Sequence, residues 1–154
     1  MEQPVRWLDE KEMSAWGPFV VSSMHLMAQL ERDLKRVFDV TLLDHGILLM
    51  LRNSLTGLTM GHLANQFGTE ASVITYRMIR LEKRGLALRL RGEKDSREVH
   101  ARITSAGEEL CDLMGPVHIT SVRKHFIDHV PRKDLIPIAD AFEKLYAAQR
   151  RSEI

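Results

Sequence analysis

From Met13 to Phe38 apolar residues recur mostly three and four apart: Met13, Trp16, Phe19, Val20, Met24, Met27, Leu30, Leu34 and Phe38, with Ser23 in the same phase. That spacing predicts one long amphipathic helix over roughly residues 10–37. Asp9 followed by Glu12 forms a capping-box pattern at its start, with Leu8 just ahead as a staple residue. In a chain of 154 residues such a helix carries more apolar surface than one small core covers. Part of it is therefore expected to pack against another chain.

The rest of the chain divides into shorter pieces. Leu42, Leu43, Ile47, Leu48, Leu49, Met50 and Leu51 predict a second helix over 41–53, and 53–57 a turn-rich connection. A short helix is expected over 60–67, with Leu63, Ala64 and Phe67 inward and Gly68 ending it. The next runs over 70–84, its inward face set by Ile74, Met78 and Leu81, and stops at Gly85. Residues 86–91 and 98–103 read as two strands around a charged loop, with Val99, Ala101 and Ile103 alternating as in a half-buried strand. Thr104 caps a helix that continues through Leu110, Met114, Val117, Val122 and Phe126, kinked or broken at Pro116. Pro131 opens a final helix, with Leu135, Ile138, Ala139, Phe142 and Leu145 along one side. The class is mainly α, with a small β component, and the chain reads as one domain.

Composition narrows the functional classes. Hydrophobic residues make up 44% and charged residues 28%, which excludes a disordered chain. One cysteine, Cys111, excludes an internal disulfide framework and a cysteine-rich zinc site. No apolar run suits a membrane span, and the acidic, mixed N-terminus does not read as a signal peptide, so a reducing cytoplasmic setting is expected. No glycine-rich phosphate loop, nucleophile elbow or acid–base set stands at recognisable spacing, so an enzyme is not expected. The net charge of +1 hides an asymmetry. Residues 69–103 hold nine basic and five acidic side chains, +4, and the remainder 13 and 16, −3. A basic centre of this kind can hold a polyanion although the whole chain is nearly neutral.

That centre coincides with a helix, a tight turn, a second helix and a hairpin, the order of a winged helix-turn-helix, whose second helix enters the DNA major groove. With Ile74, Met78 and Leu81 turned inward, the outer faces present Ser72, Thr75, Tyr76, Arg80 and Lys83 as candidate DNA contacts. Arg91, Lys94 and Arg97, at and near the hairpin tip, suit phosphates and the minor groove.

The block resembles the winged helix-turn-helix of the MarR family of bacterial transcriptional regulators. The matching stretches are Met60-Gly-His-Leu-Ala-Asn-Gln-Phe-Gly68; Ser72, Ile74, Thr75, Met78 and Leu81 through Leu86; Asp95 with Arg97 in the wing; and Ile103-Thr104 through Gly107. The flanking helices fit as well, so the resemblance spans nearly the whole chain. It implies one MarR-like domain over 1–154, with a winged lobe at 54–104 and dimerisation helices at 8–38 and 105–150. It further implies a homodimer on a pseudo-palindromic double-stranded operator, usually as a repressor, and a small aromatic or phenolic effector between the dimer helices and the DNA-binding lobe. By resemblance and helical phase, Trp16, His25, His45 and Met50 are the candidate effector contacts. No cofactor is implied. Two positions depart from the family pattern: Glu70 stands where Ser or Thr caps the recognition helix, leaving Thr69 as an alternative cap, and Ala71 replaces a polar reader. The competing reading is a winged-helix dimer that serves as a protein-interaction or non-specific DNA-binding module without a ligand. Cys111 reads as a structural thiol. The seven histidines are scattered, with only His125 and His129 one helical turn apart, and no metal site is expected.

Overall fold

The first helix, α1 (Glu10–Phe38), starts at a complete capping box: Asp9 Oδ1 accepts from the Glu12 N–H at 2.8 Å, and Glu12 Oε2 accepts from the Asp9 N–H at 2.9 Å. This computed structural model describes residues 4–91 and 99–151. Helix α1 ends at Asp39, which takes the left-handed conformation at φ 52°, a role open to aspartate. Thr41 then caps α2 (Leu42–Arg52) with a second capping box through Asp44. Next come β1 (Leu58–Thr59), α3 (Met60–Phe67), α4 (Ala71–Lys83), β2 (Ala87–Arg91), β3 (Val99–Ile103), α5 (Ser105–His125) and α6 (Leu135–Arg151).

Leu34, Val40, Ile47, Leu48, Leu51, Leu63, Ile74, Met78, Leu81, Ala101 and Met114 form one buried cluster. It joins α1 and α2 to the helix-turn-helix and the sheet, so the lobe is built onto the long helices rather than tethered to them. On α1 only Leu30 and Leu34 are buried, while Met13, Trp16, Met24 and Met27 are half exposed or more. The surplus apolar surface expected of this helix is present.

Three expectations need correction. The hairpin belongs to a three-stranded antiparallel sheet in the order β1-β3-β2. Strand β1 pairs Leu58 with Ala101 and Thr59 with His100. Two residues carry no periodicity, and only pairing with β3 makes them a strand. Second, of the kink or break expected at Pro116, the break does not occur: α5 runs as one helix from Ser105 to His125. The ring removes one backbone bond, but Cys111, Met114 and Ser121 are buried on either side of it and hold both halves of the helix in place. Third, Pro131 does not start α6. It stands at the head of a short 3₁₀ turn, Arg132–Asp134, closed by the Asp134 N–H on the Pro131 carbonyl at 2.8 Å, and α6 begins at Leu135. The alternation in β3 holds at Ala101, which is buried, whereas Val99 is exposed.

Candidate nucleic-acid interface

The recognition helix α4 is positioned from both ends. At its start, Gly68 takes φ 57°, where an L side chain is strained, and this turns the chain from α3 into α4 within a few residues. At its end, Arg84 donates through Nη1 to the Asp39 carbonyl at 2.8 Å and through Nη2 to the Phe38 carbonyl at 3.0 Å. Those are otherwise unmatched carbonyls where α1 ends. In mid-helix Arg77 reaches Asp44 of α2 at 3.7 Å. No sequence signal marks Arg77 and Arg84 as positioning residues, because their partners lie far away along the chain.

Ile74, Met78 and Leu81 face the core as expected. On the opposite side Ser72, Tyr76, Ile79 and Lys83 form a stripe at spacings of four, three and four, all exposed, with Thr75 and Arg80 flanking it. Val73 and Ile79 add exposed apolar surface suited to thymine methyl groups; Val73 was not singled out in the sequence. The Thr75 hydroxyl donates to the Ala71 carbonyl at 2.8 Å, which leaves its methyl and its acceptor lone pairs for a partner. The N-cap of α4 is Glu70, not Thr69, and no side chain caps it. Glu70 Oε2 instead accepts from the Ser72 hydroxyl at 3.2 Å. The first turn of α4 therefore has no side-chain cap, and its N–H groups remain available to an acceptor beside the Glu70 carboxylate.

The structure sorts the basic residues of this region into two sets. Arg77, Arg84, Arg89 and Arg102 are engaged internally. Arg89 is the most fully bound: its N–H and Nε donate to the two Glu82 carboxylate oxygens, each at 2.8 Å, and Nη2 lies 2.8 Å from Oε2. Arg102 Nε donates to the Thr56 carbonyl at 3.3 Å. Among the described residues, Arg80, Lys83 and Arg91 have no carboxylate partner, and all three are exposed. Arg80 flanks the stripe on α4, Lys83 belongs to it, and Arg91 ends β2. Lys94 and Arg97, with Asp95, lie outside the described residues.

The four candidate effector contacts stand on two helices, Trp16 and His25 on α1 and His45 and Met50 on α2. Trp16 lies 6.1 Å from Phe19, whose ring is 5.8 Å from Phe142 of α6, so it belongs to an aromatic cluster between α1 and α6. His25 is exposed on α1, and Met50 is half-buried against the core. His45 is buried on α2, its ring 4.6 Å from that of His118 on α5. Burial pushes the His45 imidazole down to about 4, and the neighbouring His118 adds to the shift. Burial lowers His118 as well.

This pair makes stability depend on pH. A histidine held below its usual 6.5 binds protons more readily in the unfolded chain, so its contribution is complete above about 6.5 and is lost as pH falls towards about 4. The melting temperature is expected to fall over that interval, and His45→Phe to reduce the fall. Equal pH profiles for variant and wild type in thermal melts would reject the assignment.

Cys111 is buried and desolvation raises its thiol, which keeps it protonated and poorly nucleophilic. His125 and His129 diverge: His125 Nε2 lies 3.7 Å from Asp33 Oδ2, and His129 Nε2 is 3.0 Å from the Lys124 carbonyl. Among the described residues no helix is long and apolar enough to cross a membrane.

No family model matches the chain, and no curated protein matches it. Solved structures do. AbsC, a MarR family transcriptional regulator from Streptomyces coelicolor, is 32% identical, with 95% of this chain and 99% of that chain covered and a TM-score of 0.86. Sco3205, a MarR family transcriptional regulator from the same organism solved in complex with DNA, is 25% identical over 94% of this chain and 91% of its own, with a TM-score of 0.87. CouR from Rhodococcus jostii, solved bound to p-coumaroyl-CoA, shares the fold at 17% identity, with 91% and 96% covered and a TM-score of 0.75. With its recognition helix, its three-stranded winged sheet and a relative of 32% identity along its length, the chain belongs to the MarR family of DNA-binding transcriptional regulators, a family of regulators and not of enzymes.

Proposed function

We propose that this regulator is a homodimer that reads a pseudo-palindromic operator, represses from it, and is released by a small aromatic effector. One observation carries the reading: the winged lobe presents exposed cations that have no carboxylate partner among the described residues, and α1 and α6 present large exposed apolar side chains. The cations are Arg80, Lys83 and Arg91, and the apolar side chains include Trp16 and Met24 of α1 and Phe142 and Leu145 of α6. The first set suits phosphates and base edges. The second suits a second copy of the same helices. By this division residues 54–104 form the DNA-binding lobe, and 8–38 with 105–150 the dimerisation helices. The effector follows the family pattern, with CouR as a relative bound to an aromatic acyl-CoA.

Selection of bound sequences from a random duplex library tests the proposal. Two inverted half-sites about one helical turn apart, or a multiple of that, are expected. Thr75→Ala is expected to change the preferred sequence at one position in each half-site. Arg97→Ala and Lys94→Ala should weaken binding broadly without changing it. Glu70 favours the alternative of an interaction module, because it sets a carboxylate where phosphate would approach. In that case recovered sequences would show no common motif, and binding would be weak and indifferent to the duplex.

A further inference from the structure

The last turns of α6 return to the helix-turn-helix. The Tyr146 hydroxyl donates to Gln66 Oε1 of α3 at 2.6 Å. One turn further on, the Arg150 guanidinium lies over the Tyr146 ring, 5.8 Å from its centroid. Arg150 is exposed and, among the described residues, has no carboxylate partner. Tyr146 and Arg150 form one wall of a hollow of about 610 Å³ whose other wall includes Asn65 and Gly68. Asn65 and Gly68 also line the adjoining hollow, which runs on to Glu70 and Val73 at the head of α4. A cation from the C-terminal helix therefore stands next to the turn that delivers the recognition helix.

We infer that Arg150 is a further DNA contact, a phosphate-binding cation supplied by the helix otherwise devoted to dimerisation. In a helix-turn-helix the first turn of the second helix meets the base edges, so the turn before it stands at the groove rim, beside the phosphates. At this rim the chain carries Glu70, a carboxylate that repels phosphate. Arg150 sets a positive charge on the other side of the same turn. Its stacking on Tyr146, and the bond from Tyr146 to Gln66, hold it there. Tyr146 is a positioning residue and Arg150 the contact.

The inference rests on the DNA-binding function proposed above, and salt titration separates the two. Each phosphate contact adds about 0.9 to the slope of log affinity against log salt, so a homodimer lacking both Arg150 side chains should lose about 1.8. Between about 50 and about 200 mM salt the wild type should then lose about 12-fold more affinity than Arg150→Ala. The probe is one duplex recovered from the library selection. Arg150→Lys keeps the charge and should restore the slope. Tyr146→Phe frees the helix end and should reduce the slope partway. Lys144→Ala removes an equal charge from the same helix and should leave it unchanged. Melting curves and dimer mass confirm that each variant is folded. A wild-type slope for Arg150→Ala, while Arg80→Ala lowers it, overturns this inference alone. Equal losses for Arg150→Ala and Lys144→Ala overturn it too, because general charge would then suffice. A wild type that binds no duplex, or binds with no salt dependence, overturns the operator reading and this inference together.

Discussion

Replacing Arg80 and Arg91 together with alanine is expected to lower affinity for the selected duplex by about 100-fold or more at moderate salt, with the melting temperature unchanged. Both side chains are exposed, and neither has a carboxylate partner among the described residues. Their removal costs the fold nothing that the structure shows. Each homodimer would lose four contacts, so the slope of log affinity against log salt should fall by about 3.6. Arg84 and Arg89 make the informative contrast. Each carries the same formal charge as Arg80, yet Arg84 holds the carbonyls of Phe38 and Asp39, and Arg89 is latched to Glu82. Replacing either with alanine should lower the melting temperature first and weaken DNA binding only as a consequence. Gel-shift titrations at several salt concentrations, with melts on the same samples, measure both effects. If Arg84→Ala lowered the salt slope as much as the double variant without destabilising the protein, total basic charge would govern binding, and the division into bound and free cations would fail.

The second large effect concerns stability. Gly107→Ala is expected to destabilise the protein by about 2–3 kcal/mol, a fall of about 4–12 °C in melting temperature. Gly107 lies in the first turn of α5, where Thr104 Oγ1 accepts from its N–H at 3.1 Å and donates to the Gly85 carbonyl at 2.7 Å. This arrangement presses the helix start onto the exit from the recognition helix. A β-carbon at Gly107 would collide with the Leu86 carbonyl oxygen and stand 2.6 Å from Ile103 Cγ1. The carbonyl belongs to the backbone and cannot rotate aside, so the helix start must shift. Alanine's better helix propensity returns only about 1 kcal/mol. Gly61, in α3, has no atom within 4 Å of the corresponding position, and Gly61→Ala should leave stability equal or raise it. A Gly107→Ala protein that melted at or above the wild-type temperature would show that this contact yields easily.

Sequence periodicity located the elements well where a single face is buried. The limits of α1 and α4 differ from expectation by one residue at each end or less, because capping residues and apolar spacing act locally. The misplaced features all depend on partners elsewhere in the chain. Strand β1 exists through its pairing with β3, and α5 passes Pro116 because packing on both sides outweighs one lost bond. Of the candidate effector residues, His45 is buried and Met50 half-buried, while His25 is exposed and Trp16 joins Phe19 and Phe142. Phase orders residues around one helix and says nothing of which other helix approaches.

The amino-acid order alone determined the long first helix, its surplus of apolar surface, the helix-turn-helix and the concentration of positive charge at its centre. These follow from residues close together in the chain, whose spacing, capping and charge act before any distant contact forms. Only the tertiary structure decided what each charge does. Of the cations in residues 69–103, Arg77, Arg84, Arg89 and Arg102 are engaged with groups inside the molecule, while Arg80, Lys83 and Arg91 face outward. It also brought Arg150 of the last helix beside the turn into the recognition helix, 80 residues after Glu70 in the chain. An ion pair or a shared hollow depends on distance in space, and that distance is set by how the helices pack on their common core.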